Sequence, residues 1–221
     1  SVGVARQWNG RLGKTENSQV GVFAALVRDR ACALVDGELF VPEHWFDDLE
    51  RCREAGIPED REFRTKGQIA LDLLLRLRRE GLHYSHVVFD AGYGHLPWLL
   101  NDLDDEGEIF LAEIHADQGI YVENPQPTVP ERTTPRGKAP KTLRAQADVQ
   151  TVTAWAQAQP ESAWRRLSVR AGEKGDVVAE YLTCRVFVWD GKAPRARRWH
   201  LLVRREIGGK KLKFCFANAK P

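Results

Sequence analysis

The chain has 221 residues, of which 43% are hydrophobic and 29% charged, and these values are typical of an ordinary globular protein. No stretch approaches the roughly 18 consecutive apolar residues of a membrane helix, and no charged-then-apolar leader is present, so we expect no membrane segment. The four cysteines are widely spaced and form no C-x-x-C pair. This spacing argues against a zinc site and a disulfide scaffold and favours a reducing cytoplasm.

The net charge of +2 conceals an asymmetry between the two parts of the sequence. Residues 132–221 hold 20 Lys and Arg against 7 Asp and Glu, whereas residues 1–131 hold 13 against 24. An acidic part can hold cations, and a basic part can bind the phosphates of a nucleic acid. The alternative is that two solvated surfaces simply differ in sign.

The first 41 residues predict antiparallel strands. Asn9-Gly10 is a hairpin signal within residues 1–13, and further strands are predicted over residues 17–29 and 31–41, the last one broken at Asp36-Gly37. Together these segments predict an antiparallel meander of two or three strands. A short helix is predicted within residues 43–55.

A clear helix is predicted from Thr65 to Gly81. Thr65 and Gln68 form a T-x-x-Q capping box at its start, and Gly81 supplies the stop. The side chains that recur on one face are apolar: Ile69, Leu73, Leu74 and Leu77.

A short buried strand is predicted over residues 86–89, and it ends in a glycine-containing loop. Asp90 lies at the carboxyl end of this strand, which is where open α/β sheets place their ligand crevice. A carboxylate there is costly to bury unless a partner such as a metal ion compensates its charge. The alternative is that Asp90 merely caps the loop or the next helix.

The remaining sequence predicts short elements around one proline-rich basic segment. Residues 123–142 contain five prolines and four Lys or Arg, so this segment is either a surface loop or a basic arm along a nucleic-acid backbone. Helices are predicted over residues 96–106 and within 142–158. Strands are predicted over residues 109–114, 119–122, 177–189, 198–207 and 210–217.

Five blocks of sequence carry a resemblance to a known family. They are GVARQWNGRLGKTENSQVGVF (3–23), ALVDGELFVPEHW (33–45), FRTK (63–66), VVFDAGYG (87–94) and RLSVRAGEKG (166–175). In this order they resemble the DDE transposases of bacterial insertion sequences, in the IS-four-like branch whose catalytic core carries a β-rich insertion. The resemblance implies a mixed α/β (α+β) fold with a ribonuclease-H-like core, in which the early strands would lie beside the strand that ends in Asp90. It places a partial core at residues 1–102, a basic β-rich insertion that contacts DNA at 103–217, and the return to the core at 218–221.

The resemblance also implies a catalytic site. Asp90 would be the second acid of a triad that holds two Mg²⁺ or Mn²⁺ ions, which activate an attacking oxygen and stabilise the leaving oxygen. Tyr93, beside Asp90, would line this site or pack under it, whereas His95 is interpreted as a loop residue because hard cations prefer oxygen ligands. Trp164, Trp189 and Trp199 are interpreted as core residues, with stacking on an unpaired base as the alternative. Phosphate contacts are expected from Arg165, Arg166, Lys174, Arg195, Arg197 and Arg198.

Two of the three acids of the family are not found in the sequence. The first would precede Ser1, and none of the candidates for the third, Glu173, Glu180 and Glu206, lies on a predicted helix. Together with the absence of methionine, this predicts an internal fragment of the catalytic domain.

The leading hypothesis is a cut-and-paste transposase that acts on double-stranded transposon ends and target DNA, as a homodimer in the bacterial cytoplasm. The alternative is a catalytically dead remnant that binds DNA or inhibits an intact copy. A third interpretation, a small-molecule loop on a doubly wound sheet, is weaker because no G-x-G-x-x-G motif is present.

Overall fold

The computed structural model describes residues 1–132, 138–172, 175–209 and 211–220. Within this range, only the backbone of residues 170–172 and 175 is described. The chain divides into two compact units, residues 1–84 and residues 85–221. The two units are defined by the contacts within each of them. The functional boundary between residues 102 and 103 stays a prediction.

The strands of the first unit form two separate hairpins. β1 (Ala5–Asn9) pairs antiparallel with β2 (Lys14–Ser18), and the Asn9 side chain accepts a hydrogen bond of 3.1 Å from the Arg11 backbone in the predicted turn. β3 (Val20–Arg28) pairs antiparallel with β4 (Ala31–Phe40). The expected single meander is wrong, because each hairpin is a two-stranded sheet of its own.

The predicted break of β4 at Asp36-Gly37 is also wrong, because the strand is continuous and contains a β-bulge instead. Ala24 pairs with Asp36 and Ala25 with Leu34, so Val35 is the extra residue and the strand continues through Gly37. Gly37 lies against an aromatic ring. The Phe23 ring lies over Gly37, and a Cβ at residue 37 would come within 2.4 Å of that ring.

The helices of the first unit begin and end close to their predicted positions. A 3-10 turn (Glu43–Trp45) precedes α1 (Leu49–Glu54), and α2 spans Lys66–Arg79. The capping box of α2 is confirmed, since Thr65 and Gln68 exchange both of its hydrogen bonds. The apolar face of α2 packs against β3 and β4 and buries Ile69, Leu73 and Leu77, as predicted.

A six-stranded mixed sheet organises the second unit, in the order β5-β6-β12-β11-β10-β9. β5 runs parallel to β6, and every other neighbouring pair in this sheet is antiparallel. The sequence predicted that the early strands would lie beside β5 in one sheet, and the separate pairing of β3 with β4 corrects this prediction. The strand bounds are β5 (Val87–Phe89), β6 (Phe110–Ile114), β9 (Arg165–Gly172), β10 (Gly175–Val188), β11 (Arg197–Glu206) and β12 (Leu212–Ala217).

Short elements complete the second unit. They are α3 (Ala91–Gly94), α4 (Pro97–Asp105), β7 (Gly119–Ile120), β8 (Gln150–Thr151), α5 (Val152–Gln157) and a 3-10 turn (Glu161–Ala163). The helix predicted within residues 142–158 is thus restricted to α5, because the chain before it pairs as an isolated bridge between Thr128 and Arg144. None of the described helices has both the length and the apolar character that crossing a membrane requires.

The core of the second unit lies on one face of the sheet. Leu99, Leu100 and Leu103 of α4 are fully buried. The ring of Trp199 lies 5.2 Å from that of Phe110 and 5.9 Å from that of Phe216, measured between centroids. Trp199 is therefore a core residue, as predicted. The predicted mixture of helices and strands is confirmed.

Candidate functional site

Asp90 lies at the carboxyl end of β5, beside the parallel strand β6, which continues to Ile114. Phe89, the last residue of β5, pairs with Ala112 of β6, so Asp90 is the first residue beyond the strand. The carboxyl ends of parallel strands form the ligand crevice of open α/β sheets. Asp90 is exposed at this edge, so its charge is not buried and needs no compensating partner within the protein.

One oxygen of Asp90 is already engaged. Its Oδ1 accepts a hydrogen bond of 2.9 Å from the Gly92 backbone and so caps α3. The capping role that the sequence left as an alternative is therefore present. In the part of the chain that the structure describes, no hydrogen bond or ion pair involves Oδ2, so this oxygen is available to a ligand.

A glycine fixes the segment that carries Asp90 onto β6. Gly94 is buried, and a Cβ at this position would lie 1.9 Å from the backbone oxygen of Glu113. No side chain fits at that distance, so Gly94 is required by the close approach of two backbones. This contact holds Asp90 in register with the end of β6. The AGYG segment forms α3 rather than the predicted loop.

Tyr93 is half-buried and lies three positions after Asp90, so its role at the site stays a prediction. Its ring centroid lies 6.0 Å from that of Phe89. Burial, with a further contribution from the negative charge of Asp90, raises the pKa of the Tyr93 phenol. The phenol therefore remains protonated at neutral pH and can donate a hydrogen bond near the carboxylate.

Asp90 can supply one protein ligand to a hard cation such as Mg²⁺. Among the described residues, no group of three or more His, Cys, Asp and Glu side chains is arranged to hold a metal ion. Mg²⁺ is commonly bound through one or two carboxylates together with waters and substrate phosphates. The free oxygen of Asp90 meets this requirement for one ligand.

The three candidates for the third acid are in different situations, and none of them lies on a described helix. Glu180 is in β10, where it accepts hydrogen bonds from Arg205 (2.7 Å) and Arg166 (3.4 Å). These partners hold the pKa of Glu180 below its usual range. Glu206 ends β11, and Glu173 lies outside the described residues.

The six predicted phosphate contacts fall into different environments. Arg166 pairs with Glu180, and Arg197 pairs with Asp104 (3.3 Å) and Asp105 (2.7 Å), so carboxylates already bind these two side chains. The others are exposed or outside the description: Arg165, Arg195 and Arg198 are exposed, and Lys174 lies outside the described residues.

The register of the sheet brings further basic side chains together on the face opposite the core. Directly paired residues of antiparallel strands point to the same side. Arg185 pairs with His200, Tyr181 pairs with both Arg165 and Arg204, and Arg204 pairs with Lys213. We call this surface the outer face; its members are Arg165, Tyr181, Arg185, Arg198, His200, Arg204 and Lys213.

The outer face carries several positive charges and few opposing ones. Glu113 on β6 pairs with Lys213 at 3.4 Å, whereas no carboxylate is bound to Arg165, Arg185 or Arg198 in the described part of the chain. The guanidinium of Arg198 lies 5.6 Å from the centroid of the Phe187 ring. Sequence reasoning missed Arg185, Arg204 and Lys213. Their alternation with buried Val186, Val203 and Phe214 was the available signal.

The family model described as DDE superfamily endonuclease matches residues 1–176. This range contains both hairpins, the capped helix α2, the strand that ends in Asp90 and the first strand of the basic sheet region. No curated protein matches the sequence.

Proposed function

Because this chain belongs to the DDE superfamily endonuclease family, we propose that Asp90 is one of the acids that support metal-dependent cleavage of DNA strands. The observation that carries the proposal is the exposed carboxylate at the carboxyl end of β5, beside β6, with one oxygen held by a backbone amide and the other free. The mixed α+β fold is consistent with the ribonuclease-H-like core of such enzymes.

In this proposal the chain contributes to the chemistry by holding the Asp90 carboxylate in place. A divalent cation bound at Asp90 would supply Lewis-acid stabilisation of the charge that develops on the phosphate oxygens. The hydrogen bond from Gly92 fixes the carboxylate, and the contact of Gly94 with β6 fixes α3. The neutral phenol of Tyr93 adds a hydrogen-bond donor at the edge of the site.

The finer identity of the protein is also part of the proposal. We infer a transposase of the IS-four-like branch that uses Mg²⁺ or Mn²⁺, cleaves transposon ends and joins them to target DNA. We further infer that it acts as a homodimer in the bacterial cytoplasm. The ordered blocks around Asp90 support the transposase branch, and the uneven charge of the two parts of the sequence supports a DNA substrate.

The proposed function is tested by incubating the complete protein with DNA that carries the transposon ends, with Mg²⁺ or with EDTA. We expect strand breaks and joined products that depend on Mg²⁺. The alternative function, a DNA-binding or inhibitory remnant, is supported by the lack of a three-acid cluster among the described residues. It predicts metal-independent DNA binding without any cleavage.

We propose that the outer face is the DNA-contacting surface of the β-rich region. Arg165, Arg185 and Arg198 bind no carboxylate among the described residues and carry the charge that a phosphate backbone attracts, whereas Arg166 and Arg197 already pair with carboxylates. This assignment replaces two of the contacts predicted from sequence by Arg185 and Arg204.

Replacing Arg165, Arg185 and Arg198 together by Gln should weaken DNA binding and its dependence on salt. Each lost phosphate contact lowers the slope of log K against log salt by about 0.9, so three lower it by roughly 2 to 3. Binding is measured by fluorescence anisotropy at several salt concentrations. The matched control replaces Arg11, Arg28 and Arg30 by Gln, three exposed arginines at hairpin turns of the first unit. An equal loss in both triple variants would contradict the assignment.

A further inference from the structure

Two imidazole rings lie together near the end of β6, and the proposed function does not use them. His95 follows α3, and His115 follows β6 directly. Their ring centroids are 5.5 Å apart, with the planes inclined by 71°. Both residues are exposed, so water and small ions reach them.

The hydrogen bonding of His95 fixes its tautomer. Nδ1 lies 2.9 Å from the backbone oxygen of Ala91. A carbonyl oxygen accepts and cannot donate, so Nδ1 carries the proton and the neutral ring presents a lone pair at Nε2. A backbone carbonyl bound to the second nitrogen is the usual arrangement that orients a metal-binding histidine.

The separation of the two rings matches that of two imidazoles on one metal ion. With Zn–N bonds of about 2.0 Å, each ring centre lies about 3.2 Å from the metal, so two centres in tetrahedral geometry lie about 5.2 Å apart. An edge-to-face contact between aromatic rings gives a similar separation without a metal. Binding of an ion distinguishes the two cases.

We propose that His95 and His115 form a binding site for a borderline divalent transition-metal ion such as Zn²⁺. Imidazole nitrogen suits this class of cation, whereas Mg²⁺ requires oxygen. Waters complete the coordination, because both rings are exposed. The inference concerns binding by the histidines alone and does not depend on the role of Asp90 in cleavage.

The test measures the binding of Zn²⁺ alone by isothermal titration calorimetry. The protein carries Cys32→Ser, because Cys32 is an exposed thiol that would also bind zinc. We expect one ion per chain and at least about a tenfold loss of affinity in each of His95→Gln and His115→Gln. His83→Gln is the control, since His83 is exposed and its Nδ1 also lies near a backbone oxygen, that of Gly81 at 2.6 Å.

A second measurement uses the chain with both histidines intact, so it does not depend on the folding of the variants. In ¹⁵N NMR spectra, Zn²⁺ should shift the Nε2 resonance of His95 together with a ring nitrogen of His115, while Nδ1 of His95 stays protonated. Absence of binding, or unchanged affinity in either variant, would overturn the proposal. So would a zinc-induced shift confined to one of the two rings.

Discussion

Replacing Asp90 by Asn should lower the rate of DNA strand cleavage by at least about a thousandfold, which corresponds to ~4 kcal/mol of transition-state stabilisation. The amide oxygen of Asn can still accept the hydrogen bond from Gly92, so the cap of α3 is preserved. The negative charge that attracts a divalent cation is lost. The loss is measured as the single-turnover cleavage rate at saturating Mg²⁺.

Asp48 provides the matched control for this substitution. It is also exposed and also caps a short helix, because its side chain accepts a hydrogen bond of 3.0 Å from the Arg51 backbone at the start of α1. Asp48→Asn removes the same charge and preserves the same kind of cap, and it should leave cleavage unchanged. If the two variants lose activity equally, the effect comes from charge or folding in general and Asp90 has no specific role.

Replacing Asp104 by Ala should destabilise the second unit by about 2 kcal/mol. Asp104 Oδ1 accepts from the Asn218 side chain (2.8 Å), and Oδ2 accepts from the Trp199 indole (3.2 Å). Trp199 is 2% exposed, so its indole N–H would be left buried without an acceptor. The Asp104 side chain is itself 25% exposed, which keeps the expected loss below that of a fully buried charge.

Substitution of the neighbouring Asp105 shows whether the stability contributed by Asp104 comes from its hydrogen bonds or from pairing with Arg197. It pairs with Arg197 at 2.7 Å, but its side chain is 61% exposed. Exposed ion pairs contribute less than about 1 kcal/mol, so Asp105→Ala should change stability by that amount or less. Both free energies of unfolding are measured by urea denaturation monitored by circular dichroism. A loss for Asp105→Ala as large as that for Asp104→Ala would refute this description of the Asp104 network.

Local sequence signals predicted individual elements well. The capping box of Thr65 and Gln68, the hairpin at Asn9-Gly10 and the strand that ends in Asp90 depend on neighbouring residues, and the structure contains all three. The predicted burial of that strand is wrong, because β5 is an edge strand of its sheet and Val88 is 64% exposed. The pairing of strands across the chain was not predictable in this way. The two hairpins were expected to share a sheet with β5, and in the structure they do not. The family match, rather than strand order, now supports the nuclease interpretation.

Side-chain partners explain the part of the site that the sequence could not predict. A basic residue next to an aromatic one has the same appearance in sequence whether it is free or paired. Arg197 is bound by two aspartates that lie more than 90 positions away in the sequence. Arg185 was overlooked because its neighbours on the outer face come from other strands. Alternation with buried residues could have placed Arg185 on the outer face, but which arginines have carboxylate partners depends on contacts between residues far apart in the sequence.

The most direct measurement of the central claim replaces Asp90 by Cys and compares strand cleavage in Mg²⁺ with cleavage in Mn²⁺. A thiolate is a poor ligand for the hard Mg²⁺ ion and a better one for a transition metal. If Asp90 binds the catalytic cation, Asp90→Cys is inactive with Mg²⁺ and recovers activity with Mn²⁺, beyond the ratio that the native protein shows between the two metals. An equal loss of cleavage in both metals, or no loss in either, would contradict a direct bond between this side chain and the cation.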